Sequence, residues 1–249
     1  MNIRNQAFLL LALAADVVAL VAFIIVWLVV NWWVALIVAL VLWLAIVAFV
    51  YLNRESLAMS GMAPRAVTAE DNPHLASVLD GLVVTHGFDR PEVQLLNSSA
   101  TNAAVVGRDS RNTKLVLTTG LVDALERLEI EGVLAHLLTA AASADIGGAT
   151  LAGAVLTVLP GGGLRKRAIE WMFPEHFRID TDLAAVGYTR YPPSFASSLE
   201  KLQAADTTVP MARTANAHLW LADPIGDPAV LTERVHPPLN LRISILREL

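Results

Sequence analysis

Hydrophobic and polar positions divide the chain into two unlike parts. From about Ala7 to Val30 and from about Val34 to Leu52 the apolar residues run without the alternation of an amphipathic element, and between Asn5 and Asn53 the only side chain of the charged types is Asp16. At about 1.5 Å of rise per helical residue, each run is long enough to cross a hydrocarbon core of about 30 Å. Only Asn31, Trp32 and Trp33 separate them. So short a link forces antiparallel neighbours, and tryptophans beside an asparagine suit an interfacial turn. The pattern therefore predicts a transmembrane helical hairpin within residues 1–55. Arg4 precedes the first span, Arg54 and Arg65 follow the second and the turn is uncharged, so the positive-inside bias predicts that both ends of the hairpin, and everything after it, are cytoplasmic. A cleaved signal peptide is not expected, because the first apolar run is too long and another follows at once.

Beyond Asn72 the periodicities change. Pro73 to His86 reads as an amphipathic helix opened by a polar residue and proline, with Gly87 past its end. Pro91 to Leu96 and Lys114 to Thr118 read as strands. Leu121 to Ala144 is helical twice over with a break near Arg127, and Ser194 to Ala204 and Leu239 to Leu249 are helices entered from Pro-Pro pairs. The prediction for residues 56–249 is an α+β domain, mainly helical with a small sheet. A third apolar run, Ile146 to Leu159, is too short to cross comfortably and would carry Arg165, Lys166 and Arg167 to the outer side. It is expected to be buried in the domain or to lie re-entrant against the bilayer. The segment after it mixes those three cations with Ile169, Trp171, Met172 and Phe173, a makeup suited to anionic lipid headgroups.

Composition narrows the chemistry. A net charge of −5 with scattered cations offers no surface for tracking phosphates, so nucleic acid is not an expected partner. The absence of cysteine removes disulfides, thiolate nucleophiles and cysteine metal sites. No G-x-S-x-G elbow is present, and Gly161 to Gly163 lacks the Lys-Ser/Thr of a phosphate loop, so it reads as a turn. Glu129 reads as a solvated charge near a helix N-terminus. Asp16 is the costly residue: a mid-span carboxylate needs protonation or a partner, and the only polar group at similar depth in the second span is the indole of Trp43. A donor from another chain is the sharper expectation, with local bonding to backbone or water the other.

Ala100 to Asp109, Lys114 to Leu125 and Leu128 to Asp145 resemble the core of the HtpX-like membrane zinc metallopeptidases, relatives of the CAAX prenyl proteases. Asp182 to Leu202, His218 to Pro224 and His236 to Leu249 resemble that family's later blocks in the same order. The resemblance implies zinc held by H-E-x-x-H on a helix, the two histidines one turn apart and the glutamate activating water. Here the motif reads His136-Leu137-Leu138-Thr139-Ala140, with Asp145 in its family place. The glutamate that the family uses as third ligand falls at Arg178, four residues before Asp182. A register shifted by two offers His176 and Asp180 instead. The resemblance with these replacements implies neither zinc nor another cofactor, and a chain that is not an enzyme. Arg178 is expected to pair with Asp182 or Asp145 as a staple in place of the metal. A metal site rebuilt from His136 and the other histidines is not expected, since most of those read as helix-entry or surface residues. The function expected is that of an accessory, scaffolding or regulatory subunit in a complex of the bacterial plasma membrane, with integral membrane partners bound through the hairpin. The alternatives are a zinc peptidase with non-standard ligands and a lipid-binding accessory.

Overall fold

The computed structural model describes residues 2–226 and 233–249. Helix α1 spans Ile3–Val29 and α2 spans Trp32–Leu52, both long and apolar enough to cross a membrane. The link is shorter than the sequence predicts. Asn31 alone caps α2, its side chain accepting from the Val34 N–H at 3.0 Å, while Trp32 and Trp33 enter the first helical turn and stack at 3.8 Å. A side-chain cap satisfies an orphan amide that lipid could not.

The domain follows in the order α3 (Arg54–Ala58), β1 (Arg65–Ala66), α4 (Pro73–His86), β2 (Glu92–Leu96), β3 (Ala103–Asp109), β4 (Asn112–Thr118), α5 (Thr119–Ala124), α6 (Arg127–Ala142), α7 (Ile146–Val158), α8 (Gly162–Met172), α9 (Phe177–Thr189), α10 (Pro192–Ala204) and α11 (Leu239–Arg247). The four-stranded sheet has the order β1-β2-β4-β3, with β2 parallel to β4 and both outer pairings antiparallel. Helix α4 begins and ends where its pattern says, capped by Asn72 and closed by Gly87 at φ +69°. Strand β3 is not legible as a strand because its residues Ala103–Gly107 are all buried, which erases the in-out alternation.

The main core lies between the sheet and α4, α6, α10 and α11. A second cluster joins the hairpin to the domain: Ile3, Ala7 and Leu11 of α1 and Val50 of α2 pack with Leu151, Val155 and Leu156 of α7. The third apolar run is thus a buried helix packed on the hairpin, turned by 86° from α6. Gly148 makes its crossing with α1 possible, since a Cβ there would meet the Arg4 backbone nitrogen at 2.5 Å. Gly148→Val is expected to force α1 off α7 at a cost of about 1–3 kcal/mol, which is several degrees of melting temperature for a chain of this size. An unchanged thermal midpoint of the variant in detergent would mean that this crossing does not form.

Candidate functional site

Helix α6 starts on a capping box in which the Glu129 carboxylate accepts from the Glu126 N–H at 2.7 Å. Glu129 is also buried, taking Lys201 Nζ at 2.6 Å and Ser197 Oγ at 2.7 Å from α10. It therefore ties two helices together and is not the solvated charge that its sequence position suggests. Gly132 allows the close approach, because a Cβ would stand 2.9 Å from the Phe195 Cα. Two turns into α6 this packing leaves His136 with no exposure, its ring against Phe195.

Helix α9 faces His136 with Arg178 and Asp182, one turn apart and both buried. His136 Nδ1 lies 2.8 Å from Asp182 Oδ1, close but poorly aligned for a straight hydrogen bond. Arg242 of α11 grips the same carboxylate with two bonds, Nε to Oδ2 at 2.7 Å and NH2 to Oδ1 at 2.8 Å, and gives its NH1 to the Leu221 carbonyl at 2.8 Å. Arg178 donates NH2 to the His218 carbonyl at 2.9 Å and directs NH1 at His136 Nε2, 3.4 Å away. A proton on Nδ1 is the tautomer that suits both sides of the ring, facing the carboxylate with N–H and leaving the Nε2 lone pair to the guanidinium.

Burial sets the charges. It takes the His136 imidazole down to about 4 against the opposing pull of Asp182, so the ring is neutral at physiological pH. Burial alone would raise Asp182, but Arg242 and His136 hold it at about 2. Burial and the nearby Arg242 bring Arg178 to about 9. His218, buried beside Phe173 with Nε2 on the Ala149 carbonyl at 2.9 Å, is likewise lowered by burial to about 4. His236 is lowered well below its ordinary value, again chiefly by burial, with Nε2 2.8 Å from the Ala217 carbonyl.

Several expectations are corrected here. Among the described residues Arg178 forms no ion pair with Asp182 or Asp145, because Arg242 already occupies the Asp182 carboxylate. Asp145 sits at the α6–α7 bend with its N–H on Ser143 Oγ at 3.1 Å, and partial burial raises its carboxyl. His218 is an interior residue rather than a surface one, while His236, partly buried just ahead of α11, keeps a helix-entry place with its ring on the Ala217 carbonyl. His176 and Asp180 of the shifted register are exposed, which removes that register. Leu137 is buried in the main core and Ala140 packs against it. Arg242, which sequence reasoning missed, carries one readable sign: it stands between Leu239 and Leu246 at helical spacing, a charge on an apolar stripe.

The remaining candidates lie elsewhere. Asp16 is on the exposed face of α1, while the Trp43 indole N–H is buried without a partner among the described residues. Arg165 turns back to donate Nε and NH2 to the Leu159 carbonyl at 3.0 and 2.7 Å, closing the C-terminus of α7; Lys166 and Arg167 follow on α8.

The zinc that the family resemblance implies does not fit these residues. Leu137 and Ala140 supply no donor, His136 Nε2 faces a guanidinium, and the carboxylate beside the ring, Asp182, is held by Arg242. Among the described residues no group of three or more His, Asp or Glu side chains could hold a metal ion.

A family model described as Peptidase family M48 matches residues 69–159. Proteins named Protease HtpX homolog are similar over most of the chain. That of Dictyoglomus turgidum is 26% identical, covering 80% of this chain and 77% of its own length. That of Tropheryma whipplei is 28% identical, covering 82% and 81%, and that of Caldanaerobacter subterraneus is 23% identical, covering 100% and 95%. No solved structure matches. The expectation that the chain is not an enzyme is overturned by these findings: the matched family is a peptidase family and the relatives are named proteases, which points to an enzyme. With its two apolar N-terminal helices, the chain is thus similar to the HtpX-like membrane proteins over most of its length and to peptidase family M48 over residues 69–159.

Proposed function

We propose that the chain serves as a scaffolding or regulatory subunit of a membrane-protein complex in a bacterial plasma membrane. The hairpin of residues 1–55 crosses the bilayer with both ends cytoplasmic, and the domain of residues 56–249 works from the cytoplasmic side. Asp16 carries this reading. It lies on the exposed face of an otherwise apolar helix, and its one polar neighbour in depth, the Trp43 indole, is turned inward. A carboxylate at that depth without an intramolecular donor is supplied with one by another span. Lys166 and Arg167, next to the exposed Trp171, meet anionic headgroups and hold the domain against the membrane.

The test is purification of the full chain from native membranes in mild detergent, wild type beside Asp16→Leu. The expected result is an integral membrane protein at constant stoichiometry with the wild type and about five- to tenfold less of it with the variant, the size of one or two intramembrane hydrogen bonds. A wild type that elutes alone, or a partner retained equally by Asp16→Leu, overturns the reading. Peptide hydrolysis by the purified chain that vanishes in His136→Ala would replace it with the enzymatic one to which the relatives' names point.

A further inference from the structure

Where the hairpin meets the domain a groove of roughly 1210 Å³ opens, and its two halves differ in chemistry. One half is cationic. Arg4 enters it from the first turn of α1, Arg54 from the start of α3 just beyond the second span, and Arg108 from the end of β3. The other half is apolar, made by Phe8, Leu9 and Ala12 of α1. Arg4, Phe8 and Ala12 lie one turn apart on a single stripe, so the wall climbs about 12 Å into the span from the cationic mouth.

The charges in the mouth do not cancel. Arg108 is paired with Glu55 at 2.9 Å, but Glu55 is shared with Lys114 at 3.0 Å. Asp109, the groove's own carboxylate, is turned into the β3–β4 loop, accepting from the Arg111 and Asn112 backbone N–H groups at 3.0 Å and from the Asn112 side chain at 2.8 Å. Among the described residues neither Arg4 nor Arg54 makes an ion pair. Arg54 is only 8% exposed, gives NH1 to the Tyr51 carbonyl at 3.0 Å and NH2 to the Arg108 carbonyl at 3.4 Å, lies over the Tyr51 ring at 4.3 Å and keeps a buried Nε without a partner among the described residues. A guanidinium that far from water, with an open donor and only the loop-bound Asp109 acting on it from beyond ion-pair distance, is a built anion site. The first turn of the thirteen-residue α7 also faces the groove through Ile146 and Gly147, adding the positive end of a helix dipole.

We infer that this groove binds an anionic phospholipid, its phosphate held between Arg4 and Arg54 and one acyl chain laid along Phe8, Leu9 and Ala12. A soluble anion would use the mouth and leave the apolar wall bare; a zwitterionic lipid would use the wall and bring a choline to the guanidinia. Only an anionic lipid matches both halves at the level where the spans leave the membrane. The inference does not depend on Asp16 or on a protein partner, and the site is separate from Lys166 and Arg167.

The test uses the full chain in a neutral detergent, with native mass spectrometry and thermal melting during titration with phosphatidylglycerol, phosphatidylcholine of the same acyl chains, or inorganic phosphate. Phosphatidylglycerol is expected to be retained about tenfold more than phosphatidylcholine and to raise the melting temperature, with phosphate doing neither. Arg4→Gln should remove the preference, and Arg167→Gln should keep it. Arg4 is exposed and its side chain makes no described contact, so the variant keeps its fold, which its unliganded melting curve checks. Ala12→Trp, which fills the apolar half, should lower retention of both lipids. Equal retention of the two lipids, a preference that survives Arg4→Gln or is lost with Arg167→Gln, retention unaffected by Ala12→Trp, or competition by phosphate alone would each overturn the assignment.

Discussion

Arg242→Ala is expected to lower the stability of the domain by about 3–5 kcal/mol, more than any other single change to this network. The reason lies in what is left behind. Asp182 is 2% exposed and takes two of its hydrogen bonds from this guanidinium, so removing it strands an ionised carboxylate in the interior and frees the Leu221 carbonyl as well. The neutral ring of His136 cannot replace the lost charge. Arg178→Met should behave differently despite comparable burial. It gives up one bond to the His218 carbonyl, about 1 kcal/mol, and relieves the repulsion between two guanidinia that share a single carboxylate. Removing both members of the pair, as Arg242→Met with Asp182→Leu, should restore much of what Arg242→Ala loses, because a buried pair exchanged for apolar volume is often close to neutral. Melting of the three variants beside the wild type in detergent decides the point. If Arg178→Met proves more damaging than Arg242→Ala, the carboxylate is held by the wrong arginine in this account.

How far this arrangement could be read from the sequence depended on whether its signals were local. The spans, α4 with its Asn72 and Gly87 caps, and the break between α5 and α6 each announce themselves within a few residues. The positions of His136, Arg178 and Asp182 were legible through the order of motifs, which also brought α6 and α9 together. What escaped was long-range. Arg242 reaches Asp182 across 60 residues, and nothing near either residue records the partnership except a charge on an apolar stripe. Strand β3 was hidden by being buried throughout. The interior placement of His218 likewise follows from Phe173 and Ala149, contacts made through α7 and α8 and absent from its own neighbourhood.

Acid should unfold this domain well before its carboxylates titrate. His136 and His218 are neutral in the folded chain, held at about 4 by burial, whereas in the unfolded chain an imidazole takes its proton near 6.5. Below that value the unfolded state binds more protons, so stability falls with falling pH from about 6.5 until the folded rings themselves protonate near 4. Each proton contributes about 1.4 kcal/mol per pH unit, so the two together give a slope of about 3 kcal/mol per unit within that window. His236, lowered well below its ordinary value by burial, adds to the fall in the same direction. Asp182 acts later, since a carboxylate held at about 2 loses its contribution only as pH falls from its unfolded value toward that point. Chemical denaturation in detergent at pH 7.5, 6.5, 5.5 and 4.5 reads the slope directly, and His218→Phe should lower it by about 1.4 kcal/mol per unit. The sign is the discriminating feature. If the contact with Asp182 outweighed desolvation, His136 would be a buried imidazolium whose proton strengthens the fold, so a stability that rises on acidification from pH 7.5 to 6.5, with a shallower fall below 6.5, would replace the neutral ring by a charged one and make the site a salt-bridged triad.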